Sequence, residues 1–337
     1  TGNSRVLDTN FNLTLQNVTI TGGNTGSSGA GLDFDGTVLR IENSTFAGNC
    51  TDDGAGGGVD IDGPDDGSAV TATIIGSTFS GNTAIGGAAI NVVNAPGPTS
   101  FVMVNSTVTG NTSDNDGAID IDSAVDATIV YSTIVANAHV ANVSCESRGD
   151  ATAEPDEAEA AEAAAEEQEA LDEEGVDALV DGESANISVS ETSDENPSTL
   201  RVFGTVVAQP QGGPNCSNDI GGNPPLALTA SSGYNFSDDA TCGFTNTSAG
   251  DRQSAGAPGL GALASNGGPT QTLLPSTASP LLDFIPLASC GGGDALAGFA
   301  VTTDQRGVTR PQGPGCEIGS VEIEVPVAIT VVPKFTG

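Results

Sequence analysis

The sequence predicts an all-β protein built as a parallel β-helix, and three observations predict it. The first is a motif that returns. Asn43-Ser44-Thr45-Phe46-Ala47-Gly48-Asn49 recurs with variation from Asn17, Gly76, Asn105 and Tyr131, at spacings of 26, 33, 29 and 26 residues. Self-similarity on this scale marks a solenoid, in which each repeat is too small to bury a face alone and stacks on its neighbours.

The second observation is the alternating strand before each motif. Matching the repeats puts Leu15, Ile41, Ile74, Met103 and Ile129 in one column and Ile20, Phe46, Phe79, Val108 and Ile134 in another. These columns form the expected core, with Thr14, Gln16, Arg40 and Glu42 facing water, because side chains alternate faces along a strand.

The third is a second short strand in each repeat, reached through loops of Gly, Asn, Asp and Ser such as Gly22 to Gly31 and Asn49 to Gly58. These strands are Leu32 to Gly36, Val59 to Gly63, Ile90 to Asn94 and Ile119 to Ser123. Two or three short strands per coil, each extending a shared sheet, describe the fold.

Aspartate is a poor strand former, yet it fills the outward positions of the second strands. Stacking sets Asp33, Asp60, Asn91 and Asp120 in one row and Asp35, Asp62 and Asp122 in another. Neighbouring strands lie about 4.8 Å apart, where two like charges in water repel by roughly 0.9 kcal/mol. A cation held by carboxylate oxygens offsets that repulsion, and Ca²⁺ is the ion such ligands suit. Salt screening or raised carboxyl pKa values would offset it as well, and a solvated acidic face with no specific metal is the alternative.

Composition excludes some functions. Only 8 Lys plus Arg stand against 44 Asp plus Glu, a formal charge of -36. Nucleic-acid binding needs a basic footprint and is not expected. No Trp, two Tyr and one His leave few platforms for sugar rings. His139, the single histidine, has no second His near it and is not expected to ligate a metal. No run of 18 apolar residues occurs, so membrane insertion through a helix is not expected.

Six cysteines fit an oxidising compartment, and the start at Thr1 is read as a processed form. Asn-x-Ser/Thr sequons begin at Asn12, Asn17, Asn43, Asn49, Asn105, Asn111, Asn142, Asn186, Asn215, Asn235 and Asn246. Several coincide with repeat positions, so they are read first as ladder and turn residues, with glycosylation second.

The domain plan has five parts. Coils occupy 1–149 and an acidic insertion 150–185; coils resume over 186–250, a C-terminal capping region spans 251–322, and an apolar strand covers 323–337. No capping helix precedes the first coil, so either an upstream segment or another molecule is expected to cover that end. Glu154 to Glu183 holds fourteen acidic residues and no basic one, and its Ala and Glu predict a helix over about 155–174. In the last part Val325, Val327, Ile329 and Val331 share one face of an extended strand. Such a strand invites addition to a sheet edge, which suggests head-to-tail assembly into a homopolymer.

A Cys216 to Cys242 bridge would close a loop of about 26 residues. Beyond it the chain carries Pro258-Gly259-Leu260, Asn266-Gly267-Gly268-Pro269-Thr270-Gln271-Thr272, Ser279-Pro280-Leu281-Leu282-Asp283, Asp304-Gln305-Arg306-Gly307-Val308-Thr309-Arg310-Pro311 and Cys316-Glu317-Ile318-Gly319-Ser320-Val321-Glu322. These segments resemble the C-terminal signature of the bacterial "choice-of-anchor Q" surface proteins. The resemblance implies a secreted parallel β-helix protein related in pattern to polymorphic outer-membrane proteins and adhesins. The family has no established catalytic residues to carry over.

Within this signature Asp304, Arg306 and Arg310 are expected to pair ionically and cap turns. Cys290 and Cys316 flank it and are expected to pair across it. Cys50 and Cys145 remain, yet their coils are about three steps or 14 Å apart, beyond disulfide reach unless the loop from Ala138 to Cys145 folds back.

The expected function is a non-enzymatic, secreted or cell-surface structural protein, either an adhesin stalk or a filament subunit, partnering itself or a host or matrix surface. A β-helix polysaccharide lyase or glycoside hydrolase is the alternative, using Asp33/Asp35, Asp60/Asp62 or Asp120/Asp122 as acid and base. A third reading is ice or mineral binding by the ladder Thr19, Thr45, Thr78, Thr107 and Thr133.

Overall fold

The computed structural model describes residues 4–93, 97–122, 124–145, 183–191, 198–220, 230–245 and 249–324. It is a parallel β-helix. Three seven-stranded parallel sheets run the length of the coils, with a five-stranded sheet beside them. The expected helix over 155–174 and the strand bearing Val325, Val327, Ile329 and Val331 lie outside the described residues.

The pairing follows the sequence columns. Ile41 lies between Leu15 and Ile74 in register, and Met103 continues the row to Ile129. Phe46 lies between Ile20 and Phe79, and the two phenyl rings stack with centroids 5.1 Å apart. With Leu32, Ile61, Ile90 and Ile121 these rows fill the interior of the coil.

Five of the coils have one more short strand than the sequence suggested. Asn24–Thr25, Cys50–Thr51, Thr83–Ala84, Thr112–Ser113 and Ala138–His139 build the five-stranded sheet inside segments that read as turns. Two residues are too few to show alternation, and side chains hold these strands in place.

That support comes from two polar ladders. Asn49, Asn82, Asn111 and Asn137 are fully buried, and each accepts through Oδ1 the backbone N–H of the residue one coil earlier, at 3.0 to 3.1 Å. Their Nδ2 atoms donate to backbone carbonyls such as Phe46 and Phe79. The second ladder is Ser44, Ser77, Ser106 and Ser132. Each hydroxyl donates to the carbonyl two residues back and accepts the N–H of the preceding coil's residue. The recurrent Asn-Ser-Thr is therefore a corner brace, and the residue before the serine, or before Val18 in the first coil, sits at positive φ in Asn17, Asn43, Gly76, Asn105 and Tyr131.

Two stretches of chain run back along the coils. After His139 the chain turns toward earlier coils, Asn142 donating its N–H to Asp114, until Cys145 bonds Cys50 with Cα atoms 5.8 Å apart. The loop does fold back, which removes the 14 Å objection. Cys216 pairs with Cys242 and Cys290 with Cys316.

The second stretch is the C-terminal region, and it lies along the side of the coils as a strap. Thr270 donates to Gly76 O, Tyr131 to Cys290 O, and Gly319 to Gly204 O, so contacts extend over several coils. Among the described residues it carries a 3-10 turn at Leu287–Ser289 and one α-helix, Asp294–Ala297. Between strap and coils lies a separate apolar cluster of Val104, Val130, Phe203, Leu281, Ile285 and Ile318.

Gln305 of the strap enters the threonine row, donating to Thr78 Oγ1 at 2.9 Å and accepting from Thr107 Oγ1 at 2.6 Å. Ser320 N donates to Thr133 Oγ1 at 3.0 Å. Thr78, Thr107 and Thr133 are consequently buried, and only Thr19 and Thr45 of that row reach solvent. This row therefore does not form a flat exposed threonine face for ice or mineral.

Arg306 pairs with Asp304 at 2.9 Å and Arg310 with Glu322 at 2.9 Å, both pairs buried. Arg310 also lies 4.4 Å over the Tyr131 ring. Asp304 Oδ1 accepts the N–H groups of Arg306 and Val308, closing the turn. These residues hold the strap to the coils.

Replacing a ladder asparagine tests the corner brace. In Asn111→Ala the Asn82 N–H and Phe79 carbonyl both lose their Asn111 partner, each at about 1 to 3 kcal/mol. The urea midpoint should fall by an amount equivalent to about 3 kcal/mol, with little change for the exposed Thr71→Ala. Equal midpoints for the two variants would contradict a structural ladder.

Candidate cation-binding row

The acidic row occupies the sheet of Leu7–Thr9, Leu32–Phe34, Val59–Ile61, Ile90–Val92 and Ile119–Ile121. Register places Asp8, Asp33, Asp60, Asn91 and Asp120 side by side, with Ser188 next. Asp35, Asp62 and Asp122 follow each strand and donate their N–H groups to Thr9, Phe34 and Val92 respectively.

The row was expected to face water, and here the structure corrects the sequence reading. Asp33, Asp60, Asn91 and Asp120 are buried, Asp60 to 1% exposure. The loops leading into the strands of Asp33, Asp60 and Asn91 fold over them. A Cβ at Gly29 would lie 2.7 Å from Asp33 Cβ, at Gly56 2.6 Å from Asp60 Cβ, and at Gly87 2.7 Å from Asn91 Cβ. Only glycine permits that cover.

The structure brings together four of the six proposed ligands and adds one. Carboxylate oxygens of Asp8, Asp33 and Asp35 lie within 4.8 Å of one another, as do those of Asp33, Asp60 and Asp62. Asp120 and Asp122 belong to neither group. Asn91 interrupts the row, donating to Asp60 Oδ1 at 2.7 Å, and Asp120 accepts from Ser188 Oγ at 2.7 Å. Asp8 escaped the sequence reading although Leu7-Asp8-Thr9 repeats the pattern of Leu32-Asp33-Phe34 one coil later.

Arg5 also escaped it. Its guanidinium meets Asp33 at 2.7 Å and Asp8 at 3.0 Å, and Nε donates to the Ser28 carbonyl. One cation facing five carboxylates leaves the charge uncompensated. Burial, followed by repulsion from Asp35, Asp62 and Asp8, pushes Asp33 up to about 6 against the pull of Arg5. Burial and then Asp62 raise Asp60, opposed by the Asn91 hydrogen bond. Asp35 and Asp62 shift upward as well, burial first in both cases and then Asp8 for Asp35 and Asp35 for Asp62.

The donor set is hard oxygen throughout, without sulfur or imidazole. It suits Ca²⁺ or Mg²⁺ rather than Zn²⁺ or Cu²⁺. Ligands on opposite sides of a Ca²⁺ ion, each at about 2.4 Å, are about 4.8 Å apart, so either triad can share one ion. No family model, no curated protein and no solved structure matches this chain.

The remaining sequence candidates lie apart from this row. His139 Nε2 meets Glu183 Oε2 at 3.2 Å, where the chain returns from the insertion. Asp60, sealed beneath its glycine loop, cannot touch a polymer lying on the coil, which argues against Asp60/Asp62 as a hydrolytic pair.

Raised carboxyl pKa values fix the sign of a pH effect. Folding favours protonated Asp33, so its contribution is complete below the unfolded value of about 4 and is lost as pH rises through about 6. In chelator, Tm should therefore decline between pH 4 and 7, and Asp33→Asn should flatten that decline. A Tm that climbs across this interval with an unchanged slope in Asp33→Asn would contradict the assignment.

Proposed function

We propose that this chain is a non-enzymatic structural rod of the cell exterior, an adhesin stalk or a filament subunit, whose acidic row takes up divalent cations. The observation that carries this reading is continuity along the axis. Asparagine and serine ladders run through successive coils without solvent access, and the strap fastens coils as far apart as Gly76 and Gly204. Such an arrangement yields stiffness and length.

Three disulfides fit an oxidising environment, which supports secretion or surface display. The resemblance to choice-of-anchor Q proteins supports the same location. A charge of -36 favours cations as partners over nucleic acid or anionic lipid.

Negative-stain microscopy of the native protein, with and without a Ca²⁺ chelator and alongside thermal unfolding, tests the proposal. Rods or filaments whose Tm drops by several degrees in chelator support it, and Asp33→Asn combined with Asp62→Asn should remove most of that drop. Uniform monomers at high concentration would rule out the filament. Cleavage of a polysaccharide panel that disappears in Asp60→Asn would overturn the non-enzymatic reading.

A further inference from the structure

The fold sorts the eleven sequons. Asn49, Asn111, Asn186, Asn215 and Asn235 are fully buried, and each uses its Nδ2 in a hydrogen bond inside the coil. A glycan on any of them is incompatible with the corner brace. Asn246 lies outside the described residues.

Three sequon asparagines occupy one equivalent corner position with the same backbone conformation, Asn17 at φ 56°, Asn43 at 48° and Asn105 at 47°. They differ in what covers them. Asn105 is sealed by the strap, donating Nδ2 to the Thr303 carbonyl at 2.6 Å and accepting from Arg310. Asn43 is half-buried at the edge of a cleft of about 270 Å³ between Gly76 and the strap loop Thr303 to Gly307. Asn17 is exposed, Thr19 two residues on is exposed, and the Asn17 side chain bonds no protein group among the described residues.

We infer that Asn17 is an N-glycosylation acceptor, because it alone of the three is exposed together with the threonine at the third sequon position, whereas Asn43 and Thr45 are half-buried and Asn105 and Thr107 are buried. Export into the compartment that closes three disulfides also exposes it to the membrane-bound transferases that use this signal. The donor class is an oligosaccharide carried on a lipid pyrophosphate. Asn17 Nδ2 bonds the anomeric carbon, the carbon–oxygen bond to phosphate breaks, the lipid pyrophosphate departs, and the amide proton passes to a base of the transferase. A sugar at this position extends the polar surface of the first coil.

Asn12 and Asn142 are the other exposed sequon asparagines among the described residues. Asn12 Oδ1 is held by the N–H groups of Thr37 and Val38 and by the Thr37 hydroxyl. They serve as internal comparisons for the experiment.

Intact-mass and glycopeptide mass spectrometry of protein purified from its native host tests this. The expected result is carbohydrate on Asn17 and none on the five buried asparagines. Asn17→Gln and Thr19→Ala should each reduce the mass by the same single oligosaccharide while Tm stays within about 2 °C, and Thr19→Ser should retain it. An Asn17 peptide of unmodified mass, whether the other sequons are occupied or not, overturns the inference. Glycan on Asn49, Asn111, Asn186, Asn215 or Asn235 overturns the sorting by burial on which it rests.

Discussion

Stacking in register at about 4.8 Å is the constraint from which the rest of this molecule follows. Every side chain meets its counterpart one coil above and one below, so a residue is tolerated only if it can satisfy a copy of itself. Asparagine and serine do so, since each carries a donor and an acceptor that point along the axis in opposite senses. Phenylalanine does so by offset stacking. Aspartate cannot, and its row carries the departures from repetition. Asn91 substitutes for one carboxylate, Ser188 donates to another, and Arg5 reaches in from outside the sheet.

The strap obeys the same constraint from outside. Gln305 bonds Thr78 and Thr107 with the two ends of one amide, a bridge between adjacent coils made by a single side chain. Arg310 combines an ion pair to Glu322, a carbonyl of Gly319 and the Tyr131 ring within one buried site. Burial pushes the neighbouring Glu317 carboxyl upward, so its neutral form is the one this site favours. The strap thus joins the coils through specific polar contacts as well as through the apolar cluster beneath it.

Much of the coil was legible because repetition gives each core position several independent readings. Ile41 could be placed by its match to Leu15, Ile74, Met103 and Ile129. The side strap was harder to foresee, although a signal exists. The outward column Gln16, Glu42, Ile75, Val104, Val130 and Phe203 changes from polar to apolar at the coils the strap covers. The acidic row was found by composition but misjudged in exposure, because the covering glycines Gly29, Gly56 and Gly87 read as ordinary turn residues. Arg5 stood outside the repeat pattern and had no column to reveal it.

The bond from Cys50 to Cys145 spans 95 positions of sequence, and it redirects mechanical load. A pull applied to the two ends of the chain passes from Cys50 straight to Cys145. The coils between them lie off that path and cannot pay out as slack while the disulfide holds. Tension is left to act on the first two coils and on the segments after Cys145, where the strap lies across the coils in shear. A β-helix stapled this way resists extension through covalent geometry over its middle and through many parallel hydrogen bonds at its flank, two modes that yield at very different forces.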